Sequence, residues 1–392
     1  MPFSEGERIT IPSPIDVHVH LREPGGEAKE TIESGTYAAL RGGYQAVFDM
    51  PNNPSGMETW SRERLDEKIA IAKNSAQTNI GFYAGVNLED PGIDEFPKMI
   101  GDAVGLKLYM GHTTGNAKDH DLEAARPAID AWIRAASESY DAAALPPILL
   151  HARDGIGRET AEYVAGRRYP VHWCHLSTAA EALYAASLSR RHPDHFTAGV
   201  TPHHLTMTDR DAQFKYGWNG ARMMPPLERE ADGEALLAAF NKGDIQILET
   251  DHAPHTPAEK HLAETTYPEG HDEADCRTCY GISGIECVLP VMMSLVQRRL
   301  TSLERLVDAT YHQPARMLGL AAIQGSQTVI EAGPYVIGEE DQHGKSRNHP
   351  YINWVAWGRV MDVRIGGVTR IKDGNDTGKD FQSLILRAGD TV

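Results

Sequence analysis

Short apolar segments alternate with longer segments of helical periodicity along most of the chain. This alternation is typical of β/α units, in which each buried strand is followed by a helix that packs against the sheet. Eight apolar segments are predicted to be strands: residues 13–19, 45–49, 80–85, 104–110, 147–151, 171–174, 196–200 and 245–250. Eight successive β/α units predict an α/β fold of the (β/α)8 TIM-barrel type.

The hydrophobic pattern changes towards the C-terminus. Apolar and polar residues alternate there, most clearly in residues 359–371, and the Lys-Asp-Gly that follows is typical of a turn between strands. We therefore expect residues 11–325 to form the barrel, and residues 1–10 and 326–392 to form a small β appendage built from the two ends of the chain.

Unusual polar residues lie near the carboxyl ends of five predicted strands. They are His18, His20, Lys107, His151, His175 and Asp251. Loops from different strands converge at this face of a barrel, so these side chains are expected to meet. Residues two apart in a strand point to the same side, which allows both imidazoles of the first pair to reach one ion. Four imidazoles and one carboxylate suit one or two divalent ions such as zinc.

Lys107 does not fit this picture as an ordinary lysine. A free ammonium group cannot bind a cation and would repel it. Lys107 is therefore either an ordinary residue or a chemically altered one, because carbamylation by CO2 would convert it to a carboxylate that can bridge two ions. The residues themselves cannot show that modification, and they favour the ordinary lysine.

Composition excludes several classes of partner. The formal net charge of -17 disfavours nucleic-acid and anionic-membrane surfaces, although it allows a local positive site for an acidic substrate. No apolar segment approaches the length of about 18 residues that suggests a membrane span, and residues 1–10 lack the apolar part of a signal peptide. We expect a cytoplasmic protein that binds neither nucleic acid nor membrane.

Cys276 and Cys279 form a Cys-x-x-Cys motif in a polar segment. Reduced loop thiols and a zinc clip completed by His261 or His271 are alternative interpretations. The surrounding residues 257–282 are expected to act as a lid or an interface near the mouth of the barrel.

Seven segments of the sequence together resemble the dihydroorotases of the amidohydrolase superfamily. The segments are residues 16–25 (DVHVHLREPG), 49–53 (DMPNN), 105–109 (GLKLY), 151–153 (HAR), 174–175 (CH), 201–205 (TPHHL) and 250–256 (TDHAPHT). This family closes N-carbamoyl-L-aspartate to L-dihydroorotate in pyrimidine biosynthesis. The GLKLY segment is similar to the form found in the animal multifunctional pyrimidine enzyme, in which the lysine is carboxylated and bridges two zinc ions.

The resemblance implies a binuclear zinc centre. It places His18, His20 and Asp251 on one ion and His151 and His175 on the other, with carboxylated Lys107 and a hydroxide between them. Asp251 is implied to be the general base, with a pure ligand role as the alternative. His203 and His204 are implied either to orient a ligand or to cap the end of the seventh strand.

The resemblance also implies a substrate site. Arg22, Asn52 and His255 correspond to positions that hold the substrate's α-carboxylate, for which an arginine offers a planar fork of donors. Thr113 and Thr114 resemble a mobile loop that closes on the substrate, with a surface turn as the alternative. The backbone of Gly284 is implied to meet the pyrimidine ring, with a helix-start turn as the alternative.

Some positions depart from the family pattern. Met224 stands where the family has an asparagine or arginine, which removes one contact to substrate. Gly199 stands where the animal enzyme has a glutamate that, with a cysteine like Cys174, holds an extra zinc ion, so we expect that site to be absent. Few residues precede His18, so the β appendage is expected to be reduced.

Three other functions are close alternatives. Allantoinase and dihydropyrimidinase share the barrel, the metals and cyclic-amide hydrolysis, but their substrates lack the α-carboxylate that Arg22, Asn52 and His255 would bind. A catalytically silent scaffold for aspartate transcarbamoylase would typically have lost metal ligands, whereas all six are present here. We expect an active enzyme that forms a homodimer, and association with aspartate transcarbamoylase is a further expectation.

Overall fold

The computed structural model describes residues 2–111, 113, 118–142, 144–215, 222–260, 279–321, 324–347 and 349–390, with residues 213–215 described by their backbone alone. Eight parallel strands overlap the eight predicted segments. They are β2 (Ile15–Val19), β3 (Ala46–Asp49), β4 (Asn79–Phe82), β5 (Leu106–Tyr109), β6 (Ile148–His151), β7 (Val171–Trp173), β8 (Phe196–Val200) and β9 (Ile247–Leu248). The predicted α/β barrel class is confirmed.

Backbone pairing runs around the whole ring of strands. The strands β2, β3 and β4 form one parallel sheet, and β5 to β9 form a second. Two isolated parallel bridges, Ala84–Leu106 and Val19–His252, join these sheets at their two seams. All eight carboxyl ends therefore face one mouth.

Helices follow most of the strands. They are α1 (Ile32–Arg41), α2 (Arg62–Ser75), α3 (Phe96–Met99), α4 (Leu122–Ser139), α5 (Asp154–Ala165), α6 (Ala179–Arg191), α7 (Pro202–Thr206), α8 (Asp209–Lys215), α9 (Glu230–Lys242), α10 (Val288–Gln297), α11 (Leu303–Val307) and α12 (Gln313–Met317). Thr178 and Glu181 cap α6 reciprocally, each side chain accepting the other's backbone N–H. Every helix in the described ranges is too short or too polar to cross a lipid bilayer.

A β-bulge in β2 determines which way its histidines point. The pairing of β2 with β3 shifts register between Asp16 and Val19. Val17 packs in a core cluster made mostly of strand residues, whereas Val19 packs in the cluster between strands and helices. The alternation of inward and outward side chains therefore reverses within the strand, which is a common use of bulges beside active sites.

A five-stranded antiparallel sheet is built from both ends of the chain. Its order is β1 (Arg8–Pro12), β10 (Gln327–Val336), β11 (Val355–Ile365), β12 (Val368–Lys372) and β13 (Asn375–Asp376). Helix α10 packs against β11, and a single bridge joins Ile385 to Ile80 of β4. The C-terminal segment thus returns to the barrel.

Packing between α5 and β7 can be tested at one glycine. A Cβ at Gly157 would lie 2.3 Å from Cζ2 of Trp173, which is buried. Gly157→Ala should therefore lower the free energy of unfolding by about 1–3 kcal/mol through overpacking. Urea denaturation monitored by circular dichroism would measure this change in the free energy of unfolding.

The matched control is Gly155→Ala in the same helix, where nothing lies within 4 Å of the added methyl group. This variant should be neutral or stabilised by up to about 1 kcal/mol. Equal stability of the two variants would contradict the packing argument.

Candidate active site

Three predicted ligands meet at the seam between β2 and β9. Nε2 of His20 lies 3.1 Å from Oδ1 of Asp251, and Nε2 of His18 lies 3.4 Å from the same oxygen. All three residues are buried, and one ligand atom of each lies within 4.8 Å of the others. Asn52 Oδ1 lies 2.7 Å from Nδ1 of His20, so it accepts the N–H there and leaves Nε2 free for a metal. This set fits one metal ion.

A second pair of predicted ligands lies beside the first. Nδ1 of His151 and Nε2 of His175 are 3.0 Å apart, and both rings are buried. The rings of His18 and His175 are 5.1 Å apart between centroids. Two nitrogens this close, facing one point, suit a shared divalent ion better than two protonated rings.

Lys107 is fully buried beneath these ligands. Its Nζ donates to Sγ of Cys174 at 3.1 Å and lies 5.3 Å from the ring centroid of Tyr109. No carboxylate among the described residues lies within 4.0 Å of the ammonium group. A buried ammonium group without a paired carboxylate is costly, so an ordinary charged lysine fits this position poorly.

Burial keeps three of the ligand histidines neutral. Together with the charge of Lys107, it lowers the pKa of His18 to about 4. Burial and the charge of Arg22 hold the pKa of His20 well below its usual value, and burial with His151 does the same for His175. Neutral imidazoles can bind a metal without first losing a proton. Burial raises the pKa of Asp251, which makes its carboxylate more basic.

A cavity opens above the ligands. Nine predicted residues line it: His18, His20, Arg22, Asn52, Thr113, His151, His175, Met224 and Asp251. Tyr109, Ala253, Tyr280 and Gly281 also line it and were missed by sequence reasoning. Tyr109 carried a usable signal, because it ends the strand that holds Lys107.

Arg22 supplies positive charge at the cavity wall. Its Nε donates to the carbonyl of Pro254 at 3.2 Å, and its Nη2 lies 3.3 Å from Nε2 of His255. The same nitrogen of His255 lies 2.9 Å from the carbonyl of Tyr280. His255 therefore lies behind Arg22 and does not line the cavity itself.

Other predicted residues take different places. Gly284 donates its N–H to Nδ1 of His252 at 3.2 Å. His204 lies 2.7 Å from the hydroxyl of Thr201 and 3.2 Å from the carbonyl of Pro225, so it links the end of β8 to the loop that carries Met224. Thr114 lies outside the described residues.

The Cys-x-x-Cys segment falls largely outside the described residues, including Cys276 and both candidate histidines of the clip. Cys279 is buried, and its sulfur lies within 4.8 Å of ligand atoms of His255 and Glu259. Lys29 forms an ion pair with Glu259 at 2.9 Å. The zinc-clip interpretation stays a prediction.

A buried carboxylate that sequence reasoning missed lies behind the ligands. Oε2 of Glu249 is 3.3 Å from Nδ1 of His18, and Sγ of Cys174 lies within the same group. A Cβ at Gly199 would lie 2.4 Å from Oε1 of Glu249. Glu249, just after β9, thus brings a carboxylate next to the position of Gly199, and the expectation that the extra zinc site is absent stays a prediction.

Comparisons with known proteins show what this chain is similar to. Residues 7–105 match the family model described as Dihydro-orotase-like. The chain is 32% identical to a dihydroorotase of Bacillus caldolyticus, covering 92% of this chain and 87% of that protein. It is 28% identical to the multifunctional protein CAD of Squalus acanthias, covering 95% of this chain and 15% of that protein.

The fold also resembles solved structures. A dihydropyrimidinase from Brevibacillus agri superposes with a TM-score of 0.80 at 18% identity, covering 98% of this chain and 87% of that one. Similarity at this level of identity concerns the fold alone.

The buried histidines predict how stability depends on pH. Among the described residues, seven histidines have a lowered pKa: His18, His20, His175, His203, His204, His255 and His349. They outnumber the four acids whose pKa is raised, which are Asp16, Glu228, Asp251 and Glu286. On unfolding below about pH 6.5, the histidines take up protons.

The metal-free protein should therefore lose stability as pH falls from about 6.5 towards 4, by about 1.4 kcal/mol per pH unit for each net proton taken up. Urea midpoints after chelation, measured at several pH values, would test this. His349→Gln should reduce the slope by up to about one proton, because burial lowers the pKa of His349 to about 4. A midpoint that is constant between pH 7 and 5 would contradict the argument.

Proposed function

The chain belongs to the dihydroorotase family, and from this premise we propose that it closes N-carbamoyl-L-aspartate to L-dihydroorotate and reopens the ring in the reverse reaction. The observation that carries the proposal is the convergence of His18, His20, His151, His175 and Asp251 around buried Lys107, with Arg22 at the cavity wall. Metal ligands and a carboxylate-binding group then share one cavity, as an acidic cyclic amide requires.

We propose that the ligands hold two zinc ions. His18, His20 and Asp251 would hold one, and His151 and His175 the other. Carboxylated Lys107 would be common to both, since carboxylation removes the unpaired buried ammonium charge and supplies an anionic ligand. The bound ions would polarise the amide carbonyl and make hydroxide available near neutral pH.

We propose that Asp251 moves a proton during the reaction. Its Oδ1 lies 3.4 Å from Nε2 of His18 and 3.1 Å from Nε2 of His20, and burial raises its pKa. In ring opening, Asp251 would take the proton of the attacking hydroxide and pass it to the leaving ring nitrogen. In ring closure, it would take the proton from the attacking ureido nitrogen and return it to the oxygen that leaves the carboxyl carbon as hydroxide.

Arg22 would bind the α-carboxylate of the substrate. Its contacts to Pro254 and His255 fix the guanidinium at the cavity wall, which reduces the entropy lost on binding. Asn52, which contacts His20, would also bind the α-carboxylate. Thr113 and Thr114 would close over the substrate, Met224 would offer an apolar contact, and the backbone of Gly284 would lie next to the ring.

The arrangement favours this reaction over related cyclic amide hydrolyses. Dihydrouracil and allantoin carry no carboxylate to pair with the charge of Arg22. We further propose that the enzyme is a cytoplasmic homodimer and that it associates with an aspartate transcarbamoylase, which the similarity to a multifunctional protein makes worth testing.

The proposed activity predicts a selective assay. Purified protein should release N-carbamoyl-L-aspartate from L-dihydroorotate and leave dihydrouracil and allantoin intact, because only the first substrate engages Arg22. Chromatography of the products and elemental analysis of the same sample, with about two zinc ions per chain expected, provide the measurement. Turnover of dihydrouracil in preference to dihydroorotate would contradict the assignment.

The bridging role of Lys107 predicts chemical rescue. Lys107→Ala should lose zinc and reduce activity by at least about 100-fold, because the common ligand is gone. Short-chain carboxylic acids such as acetate should restore part of the zinc content and part of the activity. Full zinc content and activity in the unrescued variant would refute the bridge.

Lys68 offers a matched control for this experiment. It is also buried, but its Nζ pairs with Asp49 at 2.7 Å and has no metal ligand to replace. If Lys68→Ala loses zinc or activity, added carboxylic acids should not restore either.

A further inference from the structure

Glu249 is a buried carboxylate outside the proposed ligand set. Its Oε1 accepts the backbone N–H of His175 at 2.5 Å, and its Oε2 lies 3.2 Å from Nε2 of His172 and 3.3 Å from Nδ1 of His18. The distance to His18 is an ion-pair distance, slightly beyond an ideal N–H···O bond. One carboxylate thus contacts residues from both proposed zinc sites.

The hydrogen bonds of His172 orient this carboxylate. Nδ1 of His172 lies 2.9 Å from the hydroxyl of Thr197. An ionised carboxylate only accepts, so the proton of His172 lies on Nε2, towards Glu249, and Nδ1 accepts from Thr197. By the same reasoning the carboxylate places the proton of His18 on Nδ1, which leaves Nε2 to face Asp251.

Gly199 makes room for Glu249. A Cβ at this position would lie 2.4 Å from Oε1, 2.7 Å from Cδ of Glu249 and 2.9 Å from Nε2 of His172. Residue 249 can hold a glutamate in this position only while residue 199 has no side chain. The two residues form one coupled unit across neighbouring strands β8 and β9.

We propose that Glu249 is a positioning residue of the metal centre. It fixes the tautomer and orientation of His18 and the backbone of His175, and its charge makes Nε2 of His18 a stronger ligand. This inference rests on the proposed function, because it presupposes that His18 and His175 bind metal.

The test compares Glu249→Gln with wild type in the zinc-loaded protein. Competition with a chromophoric chelator should show zinc bound about 10- to 100-fold more weakly in the variant. The cobalt-substituted variant should show an altered visible spectrum, because the orientation of His18 changes.

The matched control is Glu181→Gln. Glu181 is also a buried carboxylate, but it accepts from the backbone N–H groups of Ser177, Thr178 and Asp154, and it has no hydrogen bond or ion pair with a histidine in the part of the chain that the structure describes. The Glu181→Gln variant should have a lower thermal midpoint of unfolding, with unchanged zinc affinity and an unchanged cobalt spectrum.

A relocated carboxylate tests the coupling. Gly199→Ala should weaken zinc binding when Glu249 is present and have little effect in a Glu249→Ala background. Gly199→Glu combined with Glu249→Ala should recover zinc affinity relative to Glu249→Ala alone. Independent effects of the two positions would overturn the coupling.

Two outcomes would overturn the proposal itself. One is wild-type affinity and spectrum in Glu249→Gln. The other is a third zinc ion in wild type that is lost in this variant, since Glu249 would then be a ligand. Dihydroorotate turnover by wild type is measured separately, so a failure of the proposed reaction remains distinguishable from a failure of the positioning role.

Discussion

The whole site depends on where the first and last strands of the barrel meet. The N–H of His20 donates to the carbonyl of His252 at 2.8 Å, beside the Val19–His252 bridge. This contact brings Asp251 to His20 across 231 residues of sequence. Without closure at this seam the first proposed zinc site would be divided between two distant segments. The proposed site therefore forms only when the barrel closes.

Sequence reasoning predicts what is local. Eight buried strands appear as apolar segments, and ligands at strand ends appear as polar residues that interrupt them, as at His18 and His151. The bulge in β2 could not be predicted, because it is visible only in the register with β3. Glu249 was missed for a related reason, since its role depends on Gly199 in another strand and not on a motif of its own.

Electrostatics in this protein are divided between surface and interior. The chain carries a formal charge of -17, yet Arg22 lines the cavity and Arg222 and Lys260 are buried. Lys260 donates to the carbonyls of Arg222 and Cys279 at 2.7 and 3.0 Å, and burial lowers its pKa to about 7. A protein of net negative charge therefore keeps a guanidinium group at its cavity wall, where it can bind a small anion, while the overall charge disfavours polyanions.

The pairing of β1 with β10 sets an order of assembly on the ribosome. Arg8 pairs with Glu331 and Pro12 with Gln327, so the first strand waits for a partner made more than 300 residues later. At about 5–20 residues per second, that wait is on the order of tens of seconds. Ile9 and Ile11, which the finished sheet buries, stay without this partner throughout the wait. If synthesis stalls while the barrel residues are being made, the nascent chain would present an unpaired strand edge. Chaperones bind such a surface, and aggregates grow from it.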